Sequence, residues 1–145
     1  MLAGQPKSGN ADGIGEKASL KQPWGIALQP GTSSLDPATS AVVFDMGNNL
    51  VRTVDLVTSE VKLLAGDGGF VNKDGVGMEA SIYNPKAGAV RAHAGGHFLA
   101  YVPHRNDHIR TVRAPLLTKS NVNLTSNNYK TVFGLVVNLG VRALF

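Results

Sequence analysis

The hexapeptide Asn10-Ala11-Asp12-Gly13-Ile14-Gly15 returns 62 positions later as Asn72-Lys73-Asp74-Gly75-Val76-Gly77. The match runs on in both directions at that spacing. Leu2-Ala3-Gly4 becomes Leu64-Ala65-Gly66, Ala18-Ser19-Leu20 becomes Ala80-Ser81-Ile82, and Pro23 becomes Pro85. Val51-Arg52-Thr53-Val54 then reappears as Ile109-Arg110-Thr111-Val112, 58 positions on. The slip falls between Pro23 and Asn48, where the first copy carries the extra loop Pro30 to Pro37. A spacing that holds along a segment and slips only at a loop marks a duplicated supersecondary unit, whose copies bury a common core by stacking.

With 17 Gly and 7 Pro in 145 residues, the chain favours short strands joined by turns and suits one compact domain. It has no cysteine, which excludes disulfides and thiolate metal sites and is compatible with a reducing compartment such as the cytoplasm. A net charge of +4 leans toward anionic partners. Met1-Leu2-Ala3-Gly4 has neither the charged leader nor the apolar stretch of a signal peptide. The most apolar run, Val132 to Phe145, is broken by Asn138 and Arg142 and is shorter than the roughly 20 residues of a spanning helix. No membrane association is expected.

In the first copy, strands are predicted at Trp24–Leu28, Ala41–Asp45, Leu50–Asp55 and Val61–Leu64 from their β-branched and apolar runs. Met46-Gly47-Asn48-Asn49 reads as a tight turn, and Gln5 to Gln22 as a long connection in which Ala18 and Leu20 tuck against the core. The second copy predicts strands at Ala87–Ala92, Phe98–Val102 and Ile109–Arg113, with turns at Ala94-Gly95-Gly96 and Arg105-Asn106-Asp107. Its fourth strand is assigned to Tyr129–Gly134, which aligns with Val61 to Gly66 across an intervening polar stretch.

The ordered series of a Leu-Ala-Gly strand end, an Asp-Gly-x-Gly loop, Pro23-Trp24-Gly25-Ile26-Ala27, Asp45 and Asn48-Asn49-Leu50-Val51-Arg52 resembles the NHL-repeat β-propellers. Asp74-Gly75-Val76-Gly77, Pro85 and Asn106-Asp107-His108-Ile109-Arg110 repeat it in a degenerate form, with Pro103 aligned to Asp45. The resemblance implies an all-β fold: an incomplete propeller of two four-stranded antiparallel blades with an irregular C-terminal tail. Residues 1–22 then hold the end of a preceding blade and the Asp-Gly loop, 23–66 the first blade, 67–134 the second blade with a loop insertion, and 135–145 a tail that matches neither copy. The residues Asp12, Gly13, Asp45, Asn48, Arg52, Asp74, Gly75, Asn106 and Arg110 are implied to brace each blade internally.

Two sheets with uncovered flanks call for further blades, a protein partner or self-association. A truncated chain is the simpler account of two blades, and a complete one should oligomerise. No cofactor is expected. The nearest approach to a metal ligand set is His104, Asp107 and His108; His93 and His97 lie at the far end of the same predicted strand, about 23 Å away at roughly 3.3 Å per residue. The Asp-Gly loops offer too few oxygen ligands for a calcium loop and read as Asx turns. Basic residues concentrate in the second copy, so Arg91, Arg105, Arg110 and Arg113 are candidate contacts for an anion or single-stranded RNA. Their aromatic neighbours Phe98 and Tyr101 fall on opposite faces of the strand. The leading expectation is a non-catalytic protein-binding or scaffolding module. The alternatives are an RNA-binding module on the basic second blade and a fragment of a propeller hydrolase or lyase.

Overall fold

The computed structural model describes residues 1–30, 38–93, 97–104, 108–115 and 137–138. Among them the chain is all-β, with three short 3-10 turns and no α-helix. In chain order the strands are β1 Gly13–Ile14, β2 Pro23–Leu28, β3 Ser40–Asp45, β4 Leu50–Asp55, β5 Glu60–Ala65, β6 Ala89–His93, β7 His97–His104, β8 His108–Pro115 and β9 Val137–Asn138. They form two antiparallel sheets, in the orders β1-β5-β4-β3-β2 and β6-β7-β8-β9, of which β9 is a two-residue strand on the edge of β8.

The first sheet therefore has five strands rather than four. The added one, β1, comes from the stretch expected to be a loop: Gly13 and Ile14 pair with Val61 and Glu60 and cap the outer edge. In the second sheet the strand beside β8 is Val137–Asn138, within the segment expected to match neither copy. The predicted strand Tyr129–Gly134 lies outside the described residues, as do the turns 94–96 and 105–107 and the loop 31–37. Strand β6 begins at Ala89, two residues later than predicted, because the chain from Pro85 to Gly88 runs against the first sheet before entering its own.

Strand β3 is buried along its whole length, so its apolar run does not alternate: a central strand covered on both faces needs apolar side chains on both. Val42 and Phe44, with Val51 and Ala65, face the second sheet and meet Phe98, Ala100, Val102, Val112 and Ala114 in one shared core. The opposite face carries Val43, Val54 and Val61, covered by Ala3, Ala18 and Leu20. Ala80 and Ile82 play the part in the shared core that Ala18 and Leu20 play in the outer one.

The repetition reaches the backbone. Gly4 and Gly66 have φ of 106° and 110°, Gly15 and Gly77 of 56° and 54°, and Gln22 and Asn84 of 48° and 57°. Gly4 N–H donates to Gly15 O at 3.0 Å, and Gly66 N–H to Gly77 O at 3.1 Å. The two copies therefore share backbone conformation and a loop-closing hydrogen bond at equivalent positions.

The ladder also corrects one alignment. Asp45 pairs with Leu50, and His104 with His108, while Arg52 and Arg110 oppose Val43 and Val102. The second sheet thus holds His104 at the register of Asp45, and Pro103 stands at the register of Phe44. The hairpin of the second copy is one residue shorter, which sequence alignment alone had placed on the wrong side of the strand.

By the same register, Arg52 projects from the face of the first sheet that carries Val43, and Arg110 from the face of the second that carries Val102 and Val112. The arginine-bearing face of the second sheet therefore packs on the arginine-free face of the first. The stacking is head-to-tail.

At the inner edge, equivalent residues touch. A Cβ built on Gly25 would lie 2.9 Å from the Cα of Ala87, its own equivalent, and Lys86 Nζ sits 5.6 Å from the ring centroid of its equivalent, Trp24. The edge strand β2 of the first sheet therefore lies against the segment that leads into β6, with equivalent residues of the two copies in contact. Gly88 is required where the sheets meet: a Cβ there would fall 2.2 Å from the Tyr101 carbonyl oxygen and 2.5 Å from Phe44 Cζ.

Candidate functional site

Each copy is built around a buried arginine. Arg52, fully buried on β4, donates from Nη1 to Asp45 Oδ2 at 3.3 Å and Ser19 O at 3.4 Å, and from Nη2 to Ala11 O at 3.0 Å and to Asp12 Oδ1. Asp45 is itself buried and accepts from Lys21 N–H at 2.8 Å and Asn48 Nδ2 at 2.7 Å. Asn48 Nδ2 also donates to Gly9 O at 2.7 Å. Asp12 closes the set by accepting Leu63 N–H at 3.2 Å. These bonds tie the Asp-Gly loop to β3, β4 and β5 through one guanidinium, whose planar array of donors suits several acceptors at once.

Arg110 on β8 repeats the arrangement with fewer anions. It donates to Ser81 O, to Asp74 Oδ1 and, at 3.5 Å, to Asn72 Oδ1. Asp74 is its one carboxylate among the described residues. Asn72 Oδ1 also accepts Tyr83 N–H at 3.1 Å, as Asp45 accepts Lys21 N–H in the first copy. Gly13 and Gly75 hold the loops close to the turns that follow: Cβ atoms there would clash with Lys17 and Glu79 backbone.

The structure thus brings together Asp12, Asp45, Asn48 and Arg52 in one cluster and Asp74 and Arg110 in another. Asn106 lies outside the described residues. Of the proposed anion contacts, Arg110 is buried and engaged by Asn72, Asp74 and Ser81 of the loop before its sheet. Arg105 lies outside the described residues. Arg91 and Arg113 are exposed and flank Leu99 on the face of the second sheet opposite Arg110, with Arg91 Nε donating to Tyr101 Oη at 2.8 Å. Phe98 is buried in the shared core, so Tyr101 is the aromatic beside the two exposed arginines.

His93 pairs with His97 and His104 with His108, at opposite ends of β7. Asp107 lies outside the described residues. Among the described residues no three His, Asp or Glu side chains come together. A cleft of about 290 Å³ opens between the two Asp-Gly loops, lined in part by Asn10, Asp12, Gly66, Asp67 and Met78. Both of its carboxylates are engaged, Asp12 by Arg52 and Asp67 by the Ser81 hydroxyl and the Gly69 N–H. Those two donors hold the Asp67 carboxyl below its ordinary value of 3.8, the Ser81 hydroxyl contributing most. No helix among the described residues is long and apolar enough to cross a membrane.

What the repeat does not explain is the tip of the second Asp-Gly loop. Phe70, Val71 and Met78 are all strongly exposed, and Phe70 is held edge-on to Tyr83 with centroids 6.0 Å apart. Their equivalents in the first copy are Ser8, Gly9 and Glu16. Comparing the two copies position by position was the signal that could have marked these residues from sequence. No family model matches the chain, and no curated protein is significantly similar to it.

Proposed function

We propose that the chain is a segment of an NHL-like β-propeller that acts as a non-catalytic protein-binding or scaffolding module. Recognition is assigned to the apolar tip of the second Asp-Gly loop. The observation that carries this reading is the division between repeated and unrepeated residues. The ionisable groups of the motif, Asp12, Asp45, Arg52, Asp74 and Arg110, are all turned inward to bond the sheets. Phe70, Val71 and Met78 serve no repeated contact and present apolar surface on a loop anchored to a rigid sheet, as recognition residues do. The head-to-tail stacking, with equivalent residues of the two copies in contact beside β2, supports the propeller as the architecture.

The test exchanges loop residues between copies. A Phe70→Ser, Met78→Glu double variant carries the residues of the first copy at both positions, so the fold has already accommodated them once. Wild type and variant are used to capture proteins from a cell extract, with quantitative mass spectrometry as the readout. At least one protein should be retained by the wild type, lost by the variant, and bound by the wild type again when purified. Indistinguishable profiles refute the assignment.

A further inference from the structure

Each outward side of the stacked sheets carries exposed apolar residues at positions whose equivalents in the other sheet meet in the interface the molecule already contains. On the first sheet Val43, Val54 and Val61 are already covered by the N-terminal loop, and the exposed residues lie along β2. The arginine-bearing face of the first sheet presents Trp24, Ile26 and Leu28, with Ile26 63% exposed. By the repeat spacing, Ile26 and Leu28 are the equivalents of Gly88 and Val90, which pack against the first sheet. The face of the second sheet opposite Arg110, which carries Arg91 and Arg113 beside Leu99, presents the half-buried Tyr101 with Pro103 and Ile109, Ile109 being 55% exposed. By ladder register these are the equivalents of Val42, Phe44 and Val51, each fully buried under the second sheet. Both faces are apolar where the internal interface is apolar.

The geometry points to a second copy of this chain as the occupant: the first sheet of one copy docks on the second sheet of its neighbour, head-to-tail. This rests on the two-sheet propeller reading. Two features beyond apolar character support the self-match. Inside one chain the bulk lies on one side, Phe44 against Gly88. Between copies the same contact sets Ile26 against Pro103, so a side chain fills the position of Gly88 and a small ring replaces the phenyl. The second feature is the pair at the inner edge. Within the chain Lys86 lies over the Trp24 ring, 5.6 Å from its centroid. Between copies the same two positions carry Lys86 and Trp24 in exchanged order, which sets Trp24, still 66% exposed within its own chain, beside a neighbour's Lys86. A heterologous contact of this kind generates a ring when its rotation closes and a filament when it does not. Contact between equivalent residues beside β2 points to a rotation axis near that edge and favours the ring.

The test uses the full chain and two single-face variants, Ile26→Glu and Ile109→Glu. Both positions are more than half exposed, so neither substitution places a charge in the folded interior. Analytical ultracentrifugation and native mass spectrometry at micromolar concentration should show the wild type as a discrete oligomer and each variant as a folded monomer. Mixed, the two variants should form a dimer and stop there, because each retains the face the other has lost. A folded monomeric wild type overturns the second copy as occupant and leaves the loop assignment to its own exchange experiment. An oligomer disrupted by only one variant means a self-complementary face and overturns the head-to-tail match. Unlimited growth with concentration overturns the ring.

Discussion

Asp12 and Asp74 stand at equivalent positions and bind equivalent arginines, yet alanine should be far more costly at Asp74. Arg110 is 2% exposed and has Asp74 as its one carboxylate among the described residues, its remaining bonds going to neutral oxygens. Removing one partner of a buried ion pair costs about 3–5 kcal/mol, because the other charge is left uncompensated. The Asp74 side chain is 35% exposed, so water reaches the vacated site and lowers the figure to about 2–3 kcal/mol. Arg52 keeps the fully buried Asp45 when Asp12 is lost, and the half-exposed Asp12 site rehydrates readily, so that substitution should cost only about 1 kcal/mol. Because the sheets share one core, both variants should unfold in a single transition. With a urea slope of about 1–3 kcal/mol per molar, the midpoint should fall by roughly 1 M or more for Asp74→Ala and by less than half as much for Asp12→Ala. Adding Arg110→Met to Asp74→Ala should recover about 2 kcal/mol, since no charge then remains buried. Equal midpoint shifts, or a larger shift at Asp12, would refute the account of Arg110 as the less neutralised cation.

Asp45→Ala should cost about 3 kcal/mol by thermal or urea melting, since it strips an acceptor from Lys21 N–H, Asn48 and Arg52 together. Gly88→Ala should cost about 2–3 kcal/mol, because one of the clashing atoms is the Tyr101 backbone carbonyl, which cannot swing aside. Asp67, with its carboxyl below 3.8 in the folded state, contributes stability that is complete above 3.8 and lost as pH falls through the lower folded value; Ser81→Ala should therefore melt lower than wild type at neutral pH, with the gap closing in acid. Filter binding of single-stranded RNA should show little dependence on salt, and a steep slope abolished by Arg91→Ala with Arg113→Ala would favour the RNA reading instead.

Much of this architecture is legible before any coordinates. The Asp-Gly hexapeptide, the Pro23/Pro85 pair and the Arg52/Arg110 pair mark the unit, and runs such as Ala41 to Phe44 and Leu50 to Val54 mark its central strands. What escaped were features set by tertiary contact. Gly13–Ile14 pairs only because the loop is carried to the edge of β5, and two residues of Gly-Ile have no strand character of their own. Val137–Asn138 pairs with Val112 and Thr111 as Val61 and Lys62 pair with Val54 and Thr53, although its sequence matches neither copy. Asp45 was matched to Pro103 because a hairpin one residue shorter shifts the register by one, and a shift of one moves every side chain to the other face. Arg110 is named from sequence both as a bracing residue and as an anion contact. The first reading rests on its recurrence at the position of Arg52, since a residue kept in every unit serves the unit, and its bonds to Asp74 and Ser81 fit that reading.

The second copy also shows how a duplicated unit can lose a residue and keep its bonds. Register 45 carries a carboxylate in one sheet and His104 in the other, yet the N–H it would satisfy, Tyr83 in place of Lys21, is met by Asn72 from the loop. Asn10 and Asn72 are the same residue at the same repeat position, but it is Asn72 that reaches both that N–H and the buried guanidinium. What is preserved is an acceptor beside the arginine, supplied from whichever strand or loop can reach it. The proposed contact between copies follows the same logic: Ile26 against Pro103 would stand where Gly88 meets Phe44 within the chain, an alternative solution to one packing problem. A sheet that meets its neighbour through interchangeable solutions can accept another copy of that neighbour. For this reason the divergence between the two halves argues for association between chains more strongly than identical halves would.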